Sequence, residues 1–351
     1  MNKTNHYPTI LLGMPSNMGI FSLIQKNLEY HGFYVIPLIY NENEFYYPSL
    51  LARFNTKFRQ LILNDKQVKG RLKQYVLSQN LLKDITPIQQ IDHALFIRAD
   101  VFHTDLLKNI RAQVKYNMVN YQWDGMHRFP AIWQQVDIFD RFYVFDYADL
   151  NHPNHHFLPL TNFYFDHDLN HTSSNDADFY FLGAHLPERA HMIAAFGQYA
   201  KQKNWRLDFS IFGTHKNPSS YRKIYPTDNI KLITELTDYE HNLNKAKHAK
   251  VLMDFKTPIH NGLSFRAFEA LGYRKKLITT NAEVAKYDFY HPNNIFIWDG
   301  QDFNGIEAFL QLPYYEIDAT IRDKYRFKNW IRYVLDIEPY QAITLPQSSL
   351  S

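Results

Sequence analysis

The sequence predicts an α/β protein built from two Rossmann-like, doubly wound domains that face each other across a cleft. Three observations carry this prediction: a strand–loop–helix–strand pattern at the start, an alternation of apolar strands and amphipathic helices after it, and a restart of that alternation beyond a polar segment. At 351 residues the chain is long enough for two domains, each with its own core. In such sheets, ligands bind at the carboxyl ends of the strands.

The first domain is predicted to span residues 1–160. Its elements are, in order, strand Thr9–Leu12, helix Ile20–His31, strand Tyr34–Tyr40, strand His93–Ile97, helix Thr104–Gln113, strand Tyr116–Asn120 and strand Ile138–Phe145. The segment Asn151–Asn175 that follows is rich in His, Asn, Pro and Asp, a composition typical of a linker.

A second domain is predicted for residues 176–317. Its elements are strand Asp178–Leu182, helix Pro187–Lys203, strand Arg206–Phe212, strand Ile230–Leu232, helix Asp238–Ala249, strand Val251–Asp254, helix Ser264–Tyr273, strand Lys276–Thr279 and strand Asn294–Ile297. Residues 318–351 are expected to form an amphipathic helix, Asp318–Leu335, that packs back on the N-terminal domain. A frayed tail is expected from Pro339 onward.

Composition narrows the classes of function. The net charge of +3 is too small for a dedicated nucleic-acid-binding protein, so no nucleic acid is expected as a partner. Basic residues concentrate between Arg53 and Lys73, a pattern that fits either a solvated helical face or a surface for weak peripheral attachment to an anionic membrane. The absence of cysteine excludes disulfides and thiolate chemistry. The first apolar run is too short for a signal peptide or a membrane span, so a cytoplasmic location is expected, including the inner face of the cell membrane.

One segment, HNGLSFRAFEALGYRKKLITTN (His260–Asn281), combines a glycine turn, a short amphipathic helix and an apolar strand. At about 100° per residue, Gly262, Arg266 and Glu269 fall on one side of the helix and the aromatic residues on the other. We expect the polar side to face a ligand, because a guanidinium suits a diphosphate and a carboxylate one turn further suits two sugar hydroxyls. A surface ion pair between Arg266 and Glu269 without a ligand is the alternative.

The start of the same helix is a candidate phosphate site. Asn261 or Ser264 is expected to cap it. The free N–H groups of its first turn and the positive end of the helix dipole would then point into the cleft, where they favour a phosphate.

The helix segment resembles the donor-binding end of the GT-B glycosyltransferases, in which a glycine-containing loop enters a helix whose glutamate holds the ribose of a nucleotide sugar. FYFLGAHLPER (Phe179–Arg189), DFSIFGTHK (Asp208–Lys216) and the stretch Asn229–Phe255 follow the order of that family's C-terminal domain. VNYQWDGMHRFP (Val119–Pro130) and FDRFYVFDYAD (Phe139–Asp149) resemble the CgeB-like and the lipopolysaccharide or capsule glycosyltransferases.

The resemblance implies a set of donor-binding and catalytic residues. The implied donor-binding residues are Gly183, His185, Gly213, Asn261, Gly262, Leu263, Ser264, Arg266 and Glu269. Arg189 and Lys216 would stabilise the departing nucleoside diphosphate, so the transfer would need no metal ion. Many retaining members have two glutamates eight positions apart. Glu269 matches the second but Asn261 occupies the first, which leaves retention or inversion of the anomeric configuration open.

The acceptor side of the predicted cleft belongs to the N-terminal domain. Asp124 follows a strand end and is the candidate general base, with a helix cap or an Asp124–Arg128 ion pair as the alternative. His127 is a weaker candidate for the same role. The implied acceptor-binding residues are Gly13, Ser16, Asn17, Trp123 and Arg128.

The predicted function is transfer of a sugar from a nucleotide-sugar donor to a bacterial surface glycan or lipid-linked glycan, with no cofactor beyond the donor itself. The sequence is also compatible with two alternatives: a protein that binds nucleotide sugars or glycans without turnover, and a sugar-nucleotide epimerase on the same fold. A metal site is not expected, because the clustered His152, His155 and His156 lie in the predicted linker.

Overall fold

The computed structural model describes residues 7–16, 19–88, 90–169, 176–213, 218–258 and 262–347. Within this part of the chain, two six-stranded sheets are formed, and every strand pairing in both is parallel. Helices cover the faces of the sheets, as parallel strands buried on both sides require. This architecture confirms the predicted fold class of two Rossmann-like, doubly wound domains.

The first sheet has the strand order β2-β1-β3-β4-β5-β6. Its strands are β1 (Thr9–Pro15), β2 (Tyr34–Tyr40), β3 (His93–Ile97), β4 (Met118–Gln122), β5 (Arg141–Val144) and β6 (Leu158–Pro159). The helices of this half are α1 (Ile20–Tyr30), α2 (Leu50–Ile62), α3 (Val68–Ile85), α4 (Thr104–Gln113) and α5 (Tyr147–Leu150). The chain leaves β1 in one direction toward β2 and returns on the other side with β3, so the topological switch point lies between β1 and β3.

The second sheet has the order β12-β11-β10-β7-β8-β9, with its switch point between β7 and β10. Its strands are β7 (Ala177–Ala184), β8 (Leu207–Phe212), β9 (Ile230–Ile233), β10 (Ala249–Asp254), β11 (Lys276–Thr279) and β12 (Ile295–Ile297). The helices that follow in the chain are α6 (Pro187–Gln202), α7 (Tyr239–Lys247), α8 (Phe265–Gly272), α9 (Ile306–Gln311), α10 (Ala319–Lys324) and α11 (Phe327–Leu335).

The segment expected to be a polar linker, Asn151–Asn175, is largely structural where it is described. Leu158 and Pro159 pair with β5 as the sixth strand, and the following residues are buried, among them Phe163 and Phe165. The Phe163 ring contacts Phe265 of the second domain, with ring centroids 5.3 Å apart. The physical reason for the difference is a short apolar run, FLPLTNFYF, that lies between the histidines and aspartates of this segment.

The C-terminal segment closes one face of the first sheet. Two helices replace the single predicted one, because the backbone at Arg326 forms an isolated bridge with Tyr164. In α11, Trp330 is fully buried in the cluster that also contains residues of β1, and its indole N–H donates to the carbonyl of Thr161 at 2.9 Å. The tail is not frayed as far as residue 347, since Ile343 is buried in the same cluster.

Candidate functional site

At the carboxyl edge of the second sheet, the side chain of Arg189 bridges the switch point between β7 and β10. Pro187 begins α6 directly after β7, and Arg189 is in the first turn. Its Nη2 donates to the carbonyl of Ala184 at the end of β7 (2.8 Å), and its Nη1 donates to the carbonyl of Phe255 just after β10 (3.1 Å). A Cβ on Gly183 would come within 2.6 Å of Nη2, so the glycine lets the guanidinium lie against the strand.

The electrostatic environment of Arg189 is unusual for an arginine. Burial lowers its pKa, while the carboxylate of Asp254 acts in the opposite direction. Within the described residues Arg189 forms no ion pair, and its buried Nε has no hydrogen-bond partner. Because an arginine keeps its proton in proteins, this is a half-buried positive charge whose buried Nε donor has no partner. An anion at this position would satisfy both.

Asp254 organises the loop between β10 and α8. One carboxylate oxygen accepts from the hydroxyl of Ser264 (2.8 Å) and the other from the hydroxyl of Thr279 (2.7 Å). Ser264 occupies the N-cap position of α8, as predicted, but its side chain makes no capping hydrogen bond, because the hydroxyl is turned toward Asp254. The N–H groups of the first turn of α8 are therefore not satisfied by this side chain.

His185 and Gly213 meet at one aromatic wall. Nδ1 of His185 lies 2.9 Å from the Tyr225 hydroxyl, and its ring packs on Tyr221 at 4.5 Å between centroids. A Cβ on Gly213 would overlap the ring of Tyr221. These two predicted donor-binding residues thus lie beside the end of β8. The predicted Asn17, Lys216 and Asn261 lie outside the described residues.

The polar side of α8 does not face open space, contrary to the expectation for Arg266 and Glu269. Glu269 is fully buried, and its carboxylate accepts a hydrogen bond from the Tyr239 hydroxyl (2.6 Å) and pairs with Arg266. The guanidinium of Arg266 lies over the ring of Tyr180, 5.0 Å from its centroid. The reason is that β7 and α7 each place a tyrosine over this side of the helix. The ion pair that the sequence offered as an alternative is present, but inside the protein.

The turn before α8 forms a contact between the two domains. A Cβ on Gly262 would overlap the ring of Phe145, which follows β5. The carbonyl of Leu263 accepts from Nδ2 of Asn162 at 3.0 Å. Next to this contact is a cavity of about 260 Å³, whose walls come from both domains and the tail: Phe145, Asp146, Gly262, Lys286, Tyr287 and Leu345. Gly262 and Leu263 therefore line the junction of the domains, where the predicted cleft would be.

Asp124 lies in a sharp turn at the carboxyl end of β4. Both Asp124 and Gly125 have positive φ, at 68° and 75°. The carboxylate of Asp124 is 3.3 Å from Nη1 of Arg128 and 3.7 Å from Nη1 of Arg98. The alternative ion pair with Arg128 is therefore formed, and an acceptor hydroxyl would compete with two guanidinium groups for this carboxylate.

Sequence reasoning missed a polar network beside Asp124. Arg98, itself at φ 63°, pairs with both carboxylate oxygens of Asp100 at 2.7 and 2.8 Å. Asp100 also accepts from the buried amide of Gln122 at 2.9 Å, and Gln122 in turn accepts from Asn120 at 3.3 Å. The available signal was the alternation of Asn120 and Gln122 in an otherwise apolar strand, since buried amides need partners.

Other predicted acceptor residues have structural partners. A Cβ on Gly13 would overlap the ring of Phe96, so this glycine permits close packing between β1 and its neighbour. The Ser16 backbone N–H donates to Tyr40 (3.0 Å) and extends the β1–β2 ladder. Trp123 packs edge-on against Phe265 at 5.5 Å and so also joins the two domains.

His127, the weaker base candidate, is exposed next to a buried carboxylate. Its Nε2 lies 3.9 Å from Oδ1 of Asp149, whose other oxygen accepts from the Met126 backbone N–H at 3.1 Å. Burial raises the pKa of Asp149, the charge of Asp146 adds to this, and the Met126 bond opposes it.

A cavity of about 670 Å³ lies at the amino ends of the strands of the second sheet, away from the switch point, and is lined by Asp178, Trp205, Lys250, Lys275 and Tyr314. In the described part of the chain, no helix is long and apolar enough to cross a membrane, and no group of His, Asp and Glu side chains is arranged to hold a metal ion.

No protein-family model and no curated protein matches the chain. Among solved structures, its architecture is similar to that of UDP-GlcNAc 2-epimerase from Neisseria meningitidis bound to UDP-GlcNAc (11% identity, 87% of this chain and 91% of that one, TM-score 0.49). It is also similar to a UDP-N-acetylglucosamine 2-epimerase (8% identity, 97% of this chain and 100% of that one, TM-score 0.49). A third similar structure is MurG from Acinetobacter baumannii (10% identity, 78% of this chain and 78% of that one, TM-score 0.36). At these identities the likeness concerns the fold alone.

Proposed function

We propose that the protein is a glycosyltransferase that moves a sugar from a nucleotide-sugar donor to a glycan of the bacterial surface. The observation that carries the proposal is Arg189, a half-buried cation at the switch point of the second sheet. It lacks an ion-pair partner among the described residues and has a free Nε donor. The donor diphosphate would satisfy this charge and accept from this donor.

The residues around Arg189 supply the remaining donor contacts in this proposal. The N–H groups in the first turn of α8, which the Ser264 side chain does not cap, would donate to a second phosphate oxygen. His185 and Gly213 would line the far side of the site. Arg189, together with the predicted Lys216, would stabilise the charge that develops on the leaving diphosphate, so that no metal is required for that step. The site is proposed without Glu269, whose predicted contact with ribose would require Tyr239 to move.

The acceptor would bind at the carboxyl edge of the first sheet. Asp124 is the proposed general base, positioned by Arg98 and Arg128, and it would take the proton of the attacking hydroxyl. The exposed His127, whose Nε2 lies 3.9 Å from Oδ1 of Asp149, is the second candidate.

Nucleotide binding tests the donor site. We expect at least one of UDP, GDP, CMP and ADP to bind in calorimetry, and Arg189→Gln to raise its Kd by about 10- to 100-fold, the worth of hydrogen bonds between a charged donor and phosphate. Arg206→Gln is the matched control, because Arg206 is an exposed arginine near the opposite edge of the same sheet. An unchanged Kd in Arg189→Gln, or no binding of any nucleotide to the wild type, would refute the donor site.

Product analysis with nucleotide sugars tests the reaction. We expect transfer only when a glycan acceptor is present, and its loss in Asp124→Asn without a change in nucleotide affinity. Loss in His127→Gln but not in Asp124→Asn would assign the base to His127. Epimerised product without acceptor would identify an epimerase instead, and nucleotide binding without any turnover would identify a binding protein.

A further inference from the structure

Helix α2 turns its large apolar side chains outward. Its only buried residue is Thr56, whose hydroxyl bonds to the helix backbone at Ala52. The apolar side chains of this helix are between 46% (Phe58) and 84% (Leu50) exposed, and the set comprises Leu50, Leu51, Phe54, Phe58, Leu61 and Ile62. Exposed residues of this size in one helix mark an interaction surface.

The geometry of α2 shows that this side points away from the protein. At about 100° per residue, the six apolar side chains fall within a sector of about 120°. Thr56, which faces the body of the domain, lies about 180° from the centre of that sector. A helix that packs on its own domain has the reverse arrangement. The apolar side of α2 is therefore available to something outside the chain.

The charges that border this apolar side are positive. Arg53 and Lys57 project along one edge of it, and neither forms an ion pair with another described residue. Residues 45–64 contain no Asp or Glu. At the start of α2, a groove of about 560 Å³ is lined by Tyr46, Leu50, Arg53 and Lys69 and joins the apolar side to further positive charge.

We propose that α2 attaches the N-terminal domain to an anionic lipid bilayer. The apolar side chains enter the acyl region, and Arg53, Lys57 and Lys69 lie at the level of the lipid phosphates. Charge decides against a second copy of the same face, because a two-fold contact would bring these cations together without an acidic partner. This inference does not depend on the proposed reaction.

Vesicle sedimentation with the full chain tests the proposal. We expect binding to vesicles of phosphatidylcholine with about 30% phosphatidylglycerol, much weaker binding to phosphatidylcholine alone, and a decrease with added NaCl. Phe54→Asp/Leu61→Asp should lower the affinity for the anionic vesicles at least tenfold, which corresponds to a loss of about 1.4 kcal/mol of binding free energy. Arg53→Gln/Lys57→Gln should reduce only the part that depends on phosphatidylglycerol.

The controls separate lipid binding from folding, self-association and catalysis. Tyr34→Asp alters an exposed aromatic residue at the start of β2 and should bind vesicles like the wild type. Phe54→Asp/Leu61→Asp should keep the wild-type Tm and nucleotide affinity. Sedimentation with vesicles does not require nucleotide binding, so a failed donor site would not affect this test. No sedimentation of the wild type with anionic vesicles at low salt would overturn the proposal. Vesicle binding by Phe54→Asp/Leu61→Asp equal to that of the wild type would also overturn it. So would a wild-type dimer that does not bind lipid and that dissociates in this variant.

Discussion

Replacing Glu269 by glutamine tests how the α8 segment is held. The Tyr239 hydroxyl donates to one oxygen of this buried carboxylate at 2.6 Å, and Arg266 pairs with the other. Burial is the largest single influence and lowers the pKa of Arg266, but the charge of Glu269, its hydrogen bond to Arg266 and the nearby Tyr180 and Tyr239 together raise the pKa above the ordinary value. Glu269→Gln keeps the shape of the side chain and leaves Arg266 as a buried cation over the ring of Tyr180.

The expected loss of stability follows from these contacts. Removing one partner of a buried ion pair costs about 3–5 kcal/mol. Tyr239→Phe removes a single hydrogen bond to a charged acceptor, which costs about 1.5–3 kcal/mol. For a domain of this size each kcal/mol lowers Tm by roughly 2–4 °C, so Glu269→Gln should lower Tm by roughly 6–20 °C and Tyr239→Phe by less. The double variant should lose less than the sum, because the two residues share one bond.

Urea unfolding of the four proteins in the cycle, followed by circular dichroism, measures these differences. A free energy of unfolding of Glu269→Gln within about 1 kcal/mol of the wild type would refute the structural role. Nucleotide calorimetry on the folded variant then addresses the ribose role predicted from the sequence. A Kd unchanged within about threefold places Glu269 outside the donor site, and a rise of more than tenfold would show that the pair opens to bind a ligand.

Two further predictions concern pH and close packing. Because burial raises the pKa of Asp149 in the folded protein, its stabilising contribution is complete below the unfolded value of about 4 and is lost as pH rises through the folded pKa. Asp149→Asn can still accept from the Met126 N–H. The difference between its Tm and the wild-type Tm should therefore shift in favour of the variant as pH rises from 4 to 8, and a Tm difference that is constant with pH would contradict this. Gly262→Ala should lower the free energy of unfolding by about 1–3 kcal/mol because its Cβ overlaps Phe145. The control Gly70→Ala, in open space on α3, should raise it by about 0.5–1 kcal/mol; an equal gain in both variants would disprove the overlap.

Hydrophobic periodicity was sufficient to predict the fold. The strand His93–Ile97 was predicted with its observed bounds because five consecutive residues are buried on both faces of a parallel sheet. β4 was predicted two residues too early, as Tyr116–Asn120 instead of Met118–Gln122. The polar side chains of Asn120 and Gln122 made the end of β4 hard to recognise in the sequence. Gln122 is buried because its amide bonds to Asp100, which follows β3 and is not a neighbour in sequence.

The candidate site was less predictable, because its contacts join residues distant in sequence. The strand-to-helix connection after β7 was enough to place Arg189 at a carboxyl edge, but its bond to the carbonyl of Phe255 links residues 66 positions apart. The spacing of Arg266 and Glu269 identified a pair, and a helical projection shows which side the pair occupies. It does not show what covers that side, which here is Tyr239 of α7.

The contact between the domains bears on how a donor could reach Arg189. The core of the N-terminal domain includes Tyr239 and Leu243 of α7 and Tyr273 after α8, so one apolar cluster extends across both domains. Phe265 adds ring contacts to Trp123 and Phe163 at this junction. Large hydrophobic interfaces between domains oppose relative motion, because separation would return their apolar surface to water. A wide swing of the two domains is therefore disfavoured, and the proposed donor would have to bind through local changes at the carboxyl edges of the two sheets.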